Sequence, residues 1–273
     1  MSDVGDRMKS AARWCEHKFD KKRQRVADLC AMRREEKAFR AIYDKHADYT
    51  LVSAKAYIGN LRLIRAALRR EALAEGCIVE CGTWAGGMTF GMIDACPEIA
   101  EFHCFDSFEG LPPATEADGE VARASQDARA MEAGNVVASI EEFNRGLGRF
   151  DAATRAKVHV HKGWFQDTLP EFRPHRPIAV LRLDGDWYES TMVALDHLYD
   201  LVADQGLIIL DDYISWDGCA RAVHDFLSKR QGRERIQQAW PGPVSYMDKN
   251  WTPMDAFFRQ RLEKAKAAAT VES

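Results

Sequence analysis

From residue 77 onward, short apolar segments rich in β-branched residues alternate with stretches whose apolar residues recur at helical spacing. Strands with nearly continuous apolar sequence are typical of a parallel sheet that helices cover on both faces. The alternation therefore predicts an α/β fold with a doubly wound, mostly parallel sheet. The predicted strands are 77–81, 101–106, 157–162, 178–184 and 206–212, and the predicted helices are 86–96, 138–147, 188–203 and 217–230.

Two later segments extend this sheet. Residues 235–240 and 243–248 are β-like and flank a Pro-Gly pair, which predicts an antiparallel hairpin that closes the sheet. The insertion over 107–155 is long for a connection and rich in Ala, Asp and Glu. We expect it to carry short helices and part of a substrate mouth.

The first 75 residues follow a different pattern. Apolar positions at helical spacing within 5–48 predict one or two amphipathic helices, and residues 52–75 predict another helix that ends at Gly76. We expect three parts: a helical extension or lid over 1–75, an α/β domain over 76–260, and a tail over 261–273.

The composition excludes several classes of protein. The chain has 38 Lys and Arg against 42 Asp and Glu, a net charge of −4 that does not suit nucleic-acid binding, and the basic run 21–25 is interpreted as a solvated helix face. No apolar segment approaches the roughly 18 to 20 residues of a membrane-spanning helix, and the start lacks the apolar stretch of a signal peptide. The seven cysteines form no C-x-x-C pair, which favours free thiols. We therefore expect a soluble, cytoplasmic protein that binds neither nucleic acid nor membrane.

A glycine-rich turn follows the first predicted strand, at the sheet edge where α/β proteins bind ligands. Residues 80–87 read ECGTWAGG, and a second acid, Asp106, ends the next strand 24 residues after Gly82. A carboxylate in that place can accept the hydroxyls of a ribose. Because Glu80 lies at the turn and the G-x-G-x-x-G spacing is absent, a cationic ligand fits better than a pyrophosphate. The turn therefore favours S-adenosylmethionine (SAM) over NAD.

Four aspartates, called here the aspartate rim, end the fourth and fifth predicted strands. They are Asp184, Asp186, Asp211 and Asp212. Neighbouring strands would bring these carboxylates together, where they repel unless protonated or bridged by a cation. Any one of them can be a helix or strand cap, but the set favours a hard divalent ion, Mg²⁺ foremost, with Mn²⁺ or Ca²⁺ as alternatives.

Three histidines are interpreted as structural rather than functional. His159 and His161 alternate in the third predicted strand and so share one face. His224 follows an apolar residue on the helix after the fifth strand, so we expect an ordinary helix position.

Five motifs resemble those of the TylF (macrocin-type) family of SAM- and Mg²⁺-dependent sugar O-methyltransferases. They span about residues 80–220, roughly half the chain, in the family's order. The motifs are IVECGTWAGGMT (78–89), FDSFEGLP (105–112), HKGWFQDTLP (161–170), LRLDGDWYEST (181–191) and GLIILDDY (206–213).

The resemblance implies a class I SAM-methyltransferase fold of Rossmann-like type, with N-terminal helices that help form a lid and the contacts of a homo-oligomer. It implies that Asp186 is the general base and that three rim residues hold the metal, namely Asp184, Asp211 and Asp212. The implied cofactor contacts are Glu80, Gly82, Thr83, Trp84, Asp106, Ser107, Gly163, Trp164 and Asp184.

The expected activity is metal-dependent transfer of a methyl group from SAM to a hydroxyl of a vicinal diol on a sugar of a natural product or glycan. A catechol-type phenol acceptor is the alternative within methyl transfer. That group typically has a lysine three residues after the first metal aspartate, where this chain has Trp187, and the comparison favours an aliphatic hydroxyl. A nicotinamide-dependent oxidoreductase would leave the aspartate rim unexplained. A non-catalytic binding module would require loss of the metal or base residues, all of which are present.

Overall fold

The computed structural model describes residues 29–132, 136–239 and 242–251, together with residues 24, 26, 27 and 261. Within these residues the chain forms a seven-stranded sheet in the order β3-β2-β1-β4-β5-β7-β6. The strands are β1 (Cys77–Cys81), β2 (Phe102–Asp106), β3 (Val158–Lys162), β4 (Ile178–Leu183), β5 (Val202–Leu210), β6 (Gln237–Ala239) and β7 (Val244–Asp248).

The pairing confirms the predicted doubly wound sheet. Strands β1 to β5 are mutually parallel, whereas β7 pairs antiparallel with both β5 and β6. The predicted C-terminal hairpin is therefore present at the sheet edge. Strand order reverses between β1 and β4, and this switch point is where such a sheet opens a crevice for ligands.

The helices flank this sheet. They are α1 (29–46), α2 (Ala54–Ala67), α3 (Gly87–Ala95), α4 (Gly119–Glu132), α5 (Ile140–Leu147), α6 (Ala152–Arg155), α7 (Phe165–Thr168), α8 (Tyr188–Leu198) and α9 (Asp217–Lys229). Side chains of α2 and α3, among them Tyr57, Leu61 and Phe90, cover one face of the sheet. Side chains of α8 and α9, such as Leu195 and Phe226, cover the other. Because α2 shares its core with the sheet, this part of the N-terminal extension packs as part of the α/β body.

Two predicted helices are longer than the observed ones. The prediction for 188–203 is wrong at its end: α8 stops at Leu198, and β5 begins at Val202, where a register irregularity in β4 lets Val202 pair with Ile178. The prediction for 52–75 is also too long. There the chain becomes extended at Arg70, whose guanidinium donates to the Gln205 carbonyl (2.5 Å) and to Asp248 (2.6 Å).

The structure bears on the predictions about cysteines and membrane-spanning helices, but leaves others untested. The described cysteines are free thiols, with Cys30 exposed and the others buried. No helix among the described residues combines the length and hydropathy that a membrane crossing requires. Most of the basic run 21–25 and nearly all of the tail 261–273 lie outside the described residues. The three-part division of the chain and the homo-oligomer stay predictions.

His159 and His161 do lie on one face of β3, because both rings contact His103 on β2, with ring centroids 4.9 Å and 5.5 Å apart. Burial, reinforced by these two imidazoles, lowers the pKa of His103 to about 4. His224 is exposed on α9, where its Nε2 is hydrogen-bonded to the Tyr213 hydroxyl at 3.0 Å.

Candidate active site

A cavity of about 690 Å³ opens at the carboxyl ends of the parallel strands. Its walls come from the ends of β1, β2, β4 and β5 and from the segments 49–52, 110–113 and 164–166. Of the residues selected from the sequence, ten line it: Glu80, Gly82, Thr83, Trp84, Asp106, Ser107, Trp164, Asp184, Asp186 and Asp211. Gly163 and Asp212 are not among the lining residues; each lies directly beside one that is.

Gly82 is where the two halves of the cavity meet. Its φ is +89°, and a Cβ added there would lie 1.8 Å from the carbonyl oxygen of Asp184. The Asp184 amide in turn donates to the Cys81 carbonyl at 2.9 Å. The missing side chain therefore makes room for the β4 backbone, and not only for a ligand as the sequence suggested.

Asp106 fixes the turn that follows β1. Its carboxylate accepts the amide hydrogens of Trp84 (2.8 Å) and Phe108 (2.7 Å). Burial raises the pKa of this carboxyl, and these amide donors oppose the rise. The hydroxyl of Ser107 bonds to the Gly110 carbonyl (3.2 Å) and orders the loop after β2. The Asp106 carboxylate thus holds the backbone of both loops that form this side of the cavity.

Two buried polar atoms in this turn are unsatisfied within the described part of the chain. Thr83 Oγ1 and Trp84 Nε1 are buried and have no hydrogen-bond partner among the described residues. Because a buried unsatisfied polar atom costs roughly 1–3 kcal/mol, such atoms beside a cavity are expected to bind a ligand.

Glu80 points into an ion pair rather than simply into the cavity. Its side chain is 1% exposed, and it accepts hydrogen bonds from the Thr89 hydroxyl and from Arg182 (2.9 Å). Burial raises the pKa of the Glu80 carboxyl, while Arg182 opposes the rise. The predicted acid at the turn is therefore present, with a cation of the protein beside it.

Arg182 is a residue of the candidate site that the sequence reasoning missed. Its side chain is 1% exposed, and its guanidinium lies 2.8 Å from both Asp184 and Asp211, in addition to Glu80. It thus joins the acid of the glycine-rich turn to the aspartate rim. The signal was available, since an arginine inside an apolar strand requires a buried partner.

The structure divides the aspartate rim in two. Asp184, Asp186 and Asp212 each offer a carboxylate oxygen within 4.8 Å of the others. Asp211, predicted as a metal ligand, instead has its Oδ1 against Arg182. Burial raises the pKa of Asp184 to about 8, with the charges of Asp211 and Asp186 adding to the rise. Burial and the same neighbours hold the pKa of Asp212 well above its usual range. The cluster therefore favours a bound cation or proton.

Asp186 has the most constrained backbone of the aspartate rim. Its φ is +57°, a left-handed conformation that is uncommon for residues other than glycine. Its amide donates to Asp212 Oδ2 (2.9 Å), and its Oδ1 accepts from the indole Nε1 of Trp216 (2.7 Å). Trp216 was not identified from the sequence.

Comparison with known proteins gives a consistent result. A family profile described as macrocin-O-methyltransferase (TylF) matches residues 3–241. The chain is 35% identical, over 63% of each chain, to the 8-demethyl-8-(2,3-dimethoxy-alpha-L-rhamnosyl)-tetracenomycin-C 4'-O-methyltransferase of Streptomyces olivaceus. It is 36% identical to the demethyldecarbamoylnovobiocin O-methyltransferase of Streptomyces niveus, over 56% of this chain and 59% of that protein. The matches thus span less than two thirds of these relatives' lengths.

A third relative and a solved structure agree with these matches. The mycinamicin III 3''-O-methyltransferase of Micromonospora griseorubida is 30% identical over 65% of this chain and 70% of its own. The structure of the O-methyltransferase NovP superposes with a TM-score of 0.58 at 28% identity, covering 74% of this chain and 83% of that chain.

Proposed function

Because the chain belongs to the macrocin-O-methyltransferase (TylF) family, we propose that it transfers the methyl group of SAM to a hydroxyl of a sugar carried by a natural product or glycan. The observation that carries this proposal is the cavity, in which the glycine-rich turn with Asp106 and the aspartate rim face one space. The name of the Streptomyces olivaceus relative, a rhamnosyl 4'-O-methyltransferase, supports a sugar acceptor.

The lining residues fit SAM. Carboxylates outnumber the one cation among the described lining side chains, which suits a ligand with a sulfonium and an amino group. We assign Asp106 and Ser107 to the ribose end and Trp164 to the adenine, since all three line the cavity. Thr83 Oγ1 and Trp84 Nε1 supply buried polar atoms without a hydrogen-bond partner among the described residues. SAM, when bound, supplies a methyl group on a positively charged sulfur.

The aspartate rim fits a hard divalent ion, Mg²⁺ or Mn²⁺, because its donors are all carboxylate oxygens, and burial raises the pKa of two of them, Asp184 and Asp212. Asp184 and Asp212 are the proposed principal ligands because their oxygens belong to the converging cluster, although Asp184 also contacts Arg182. Asp211 is a weaker one, since it lies outside that cluster and its Oδ1 faces Arg182. When bound, such an ion would supply positive charge that lowers the pKa of the acceptor hydroxyl, which we propose is one hydroxyl of a vicinal diol.

Asp186 is the proposed general base. Its Oδ1 accepts from Trp216, so we assign the proton of the sugar hydroxyl to Oδ2. In the displacement at the methyl carbon, the O–C bond forms as the C–S bond breaks and S-adenosylhomocysteine leaves, which requires the attacking oxygen, the carbon and the sulfur to align. The rigid junction at Gly82 fixes the cofactor side of the cavity relative to Asp184 and thereby supports that alignment.

The test is incubation with radiolabelled SAM, Mg²⁺ and a panel of glycosylated metabolites, nucleotide sugars and catechols. We expect label in a sugar-bearing acceptor. Labelling of catechols alone would favour the phenolic alternative. Binding of NADH together with no binding of SAM, both by titration, would overturn methyl transfer.

Metal dependence and the contribution of each proposed ligand can be tested by removing the metal and by substituting the ligands one at a time. EDTA should abolish turnover, and Mg²⁺ or Mn²⁺ should restore it. We expect Asp212→Asn to weaken Mg²⁺ binding at least about tenfold, since changing groups that only support metal ligands already costs about 10–100-fold. Asp211→Asn should weaken it less than Asp212→Asn does. Calorimetry of Mg²⁺ binding measures both, with Asp217→Asn, an exposed first-turn carboxylate of α9, as the matched control. Full activity in EDTA would contradict the metal proposal.

A further inference from the structure

An aromatic pair, Trp216 and Trp187, lies beside Asp186. Trp216 and Trp187 pack edge to face, with ring centroids 5.2 Å apart, next to the aspartate rim. Trp187 is 2% exposed, and its Nε1 donates to the Pro112 carbonyl (2.9 Å) in a wall of the cavity. The Trp216 indole Nε1 donates instead to Asp186 Oδ1, at 2.7 Å.

The backbone on both sides of this contact is fixed. Trp216 caps the start of α9, and its amide donates to the Asp212 carbonyl (2.9 Å), so the indole is tied to the turn that carries a rim residue. Asp186 is held in its left-handed conformation by the hydrogen bond that its backbone amide donates to Asp212 Oδ2. Strained backbone of this kind persists where surrounding structure enforces it, and it concentrates at functional sites.

We propose that Trp216 is a positioning residue for the reaction: its indole N–H, braced by Trp187, sets the orientation of the Asp186 carboxylate and so directs Oδ2 to the acceptor hydroxyl. This inference rests on the proposed function. The carboxylate of an aspartate otherwise rotates among several rotamers. A displacement of about 1 Å at a catalytic group costs on the order of a hundredfold in rate, so losing this hydrogen bond should be visible in turnover.

Trp216→Phe tests the proposal, because it keeps a ring for the contact with Trp187 and removes the donor to Asp186. We expect kcat to fall roughly 10- to 100-fold. The dissociation constants for SAM and Mg²⁺, measured by calorimetry, should stay within about twofold, since in a kcat-specific loss ground-state binding is retained. Tyr213→Phe is the matched control: it removes a polar group that bonds to His224 and should leave kcat unchanged.

A double-mutant cycle shows whether Trp216 acts through Asp186. In the Asp186→Asn background, Trp216→Phe should cause little further loss of turnover, because coupled residues are non-additive. Equal losses in both backgrounds would overturn the proposal, as would a parallel loss of Mg²⁺ affinity. Should the Phe variant fail to fold, Trp216→Leu removes the same donor and carries the same expectation.

A crystal structure of the Trp216→Phe protein gives a readout that does not depend on activity. We expect a changed side-chain rotamer at Asp186, and an unchanged one would overturn the inference. If the wild-type protein transfers no methyl group to any acceptor, the proposed function fails, whereas wild-type turnover with an unimpaired Trp216→Phe enzyme refutes only the role of Trp216.

Discussion

Asp186→Asn should bind SAM and Mg²⁺ and yet lose about 10²- to 10⁴-fold in turnover, the usual contribution of a general base. The amide cannot accept the proton of the sugar hydroxyl at Oδ2. It still offers an oxygen to the Trp216 indole, and the backbone bond to Asp212 Oδ2 is unaffected. Single-turnover rates with labelled SAM, together with calorimetry of both ligands, measure the two effects separately.

The matched control is Asp184→Asn, which removes a carboxylate from the same cluster at the end of β4. That variant should lose Mg²⁺ affinity, and its turnover should recover partly at high Mg²⁺. If Asp186→Asn behaves in the same way, Asp186 is a metal ligand and not the base. Unimpaired turnover of Asp186→Asn would remove it from the mechanism altogether.

Arg182→Gln should destabilise the protein by about 3–5 kcal/mol, because removing one partner of a buried ion pair leaves an uncompensated charge. Glu80 is as buried as Arg182, and Arg182 is its only ion-pair partner among the described residues, so the variant leaves the Glu80 carboxylate without a cation. Chemical denaturation at neutral pH measures the loss. Arg40→Gln is the control, since Arg40 pairs with Asp44 on the surface and such pairs contribute about 0–1 kcal/mol.

Adding Glu80→Gln to the Arg182→Gln protein should restore part of the lost stability, because it removes the charge that was left unpaired. A stability change below about 1 kcal/mol for Arg182→Gln would show that water or a bound cation replaces the guanidinium in solution. The Mg²⁺ affinity of the Arg182→Gln protein then reports whether Arg182 influences the metal site, since Arg182 also contacts Asp184 and Asp211.

Local sequence patterns were sufficient for the sheet. Continuous apolar runs located β1 to β5, and the rule that α/β sheets bind ligands at carboxyl strand ends placed Asp106 and the aspartate rim on one cavity. The end of α8 was misplaced because the start of β5 depends on its pairing with Ile178, which no local pattern records.

The electrostatics of the site required the register between strands. Four aspartates near two strand ends suggested that all four share one cation, but pairing of β4 with β1 and β5 sets Arg182 between Glu80 and Asp211. One arginine therefore neutralises charge that the sequence assigned to the metal. Trp216 was missed for a related reason, because its contact with Asp186 spans thirty residues and depends on the turn after β5.

The contact between Gly82 and the backbone of Asp184 has a consequence for how such an enzyme can diversify. The strand that ends in the glycine-rich turn and the strand that ends in the aspartate rim are interlocked at a single position that admits no side chain. A side chain at Gly82 would push the two strand ends apart, so the residues that follow them keep a fixed separation. The peripheral walls, 49–52 and 110–113, are not part of this contact, and we expect substitutions there to alter acceptor preference while leaving that separation unchanged.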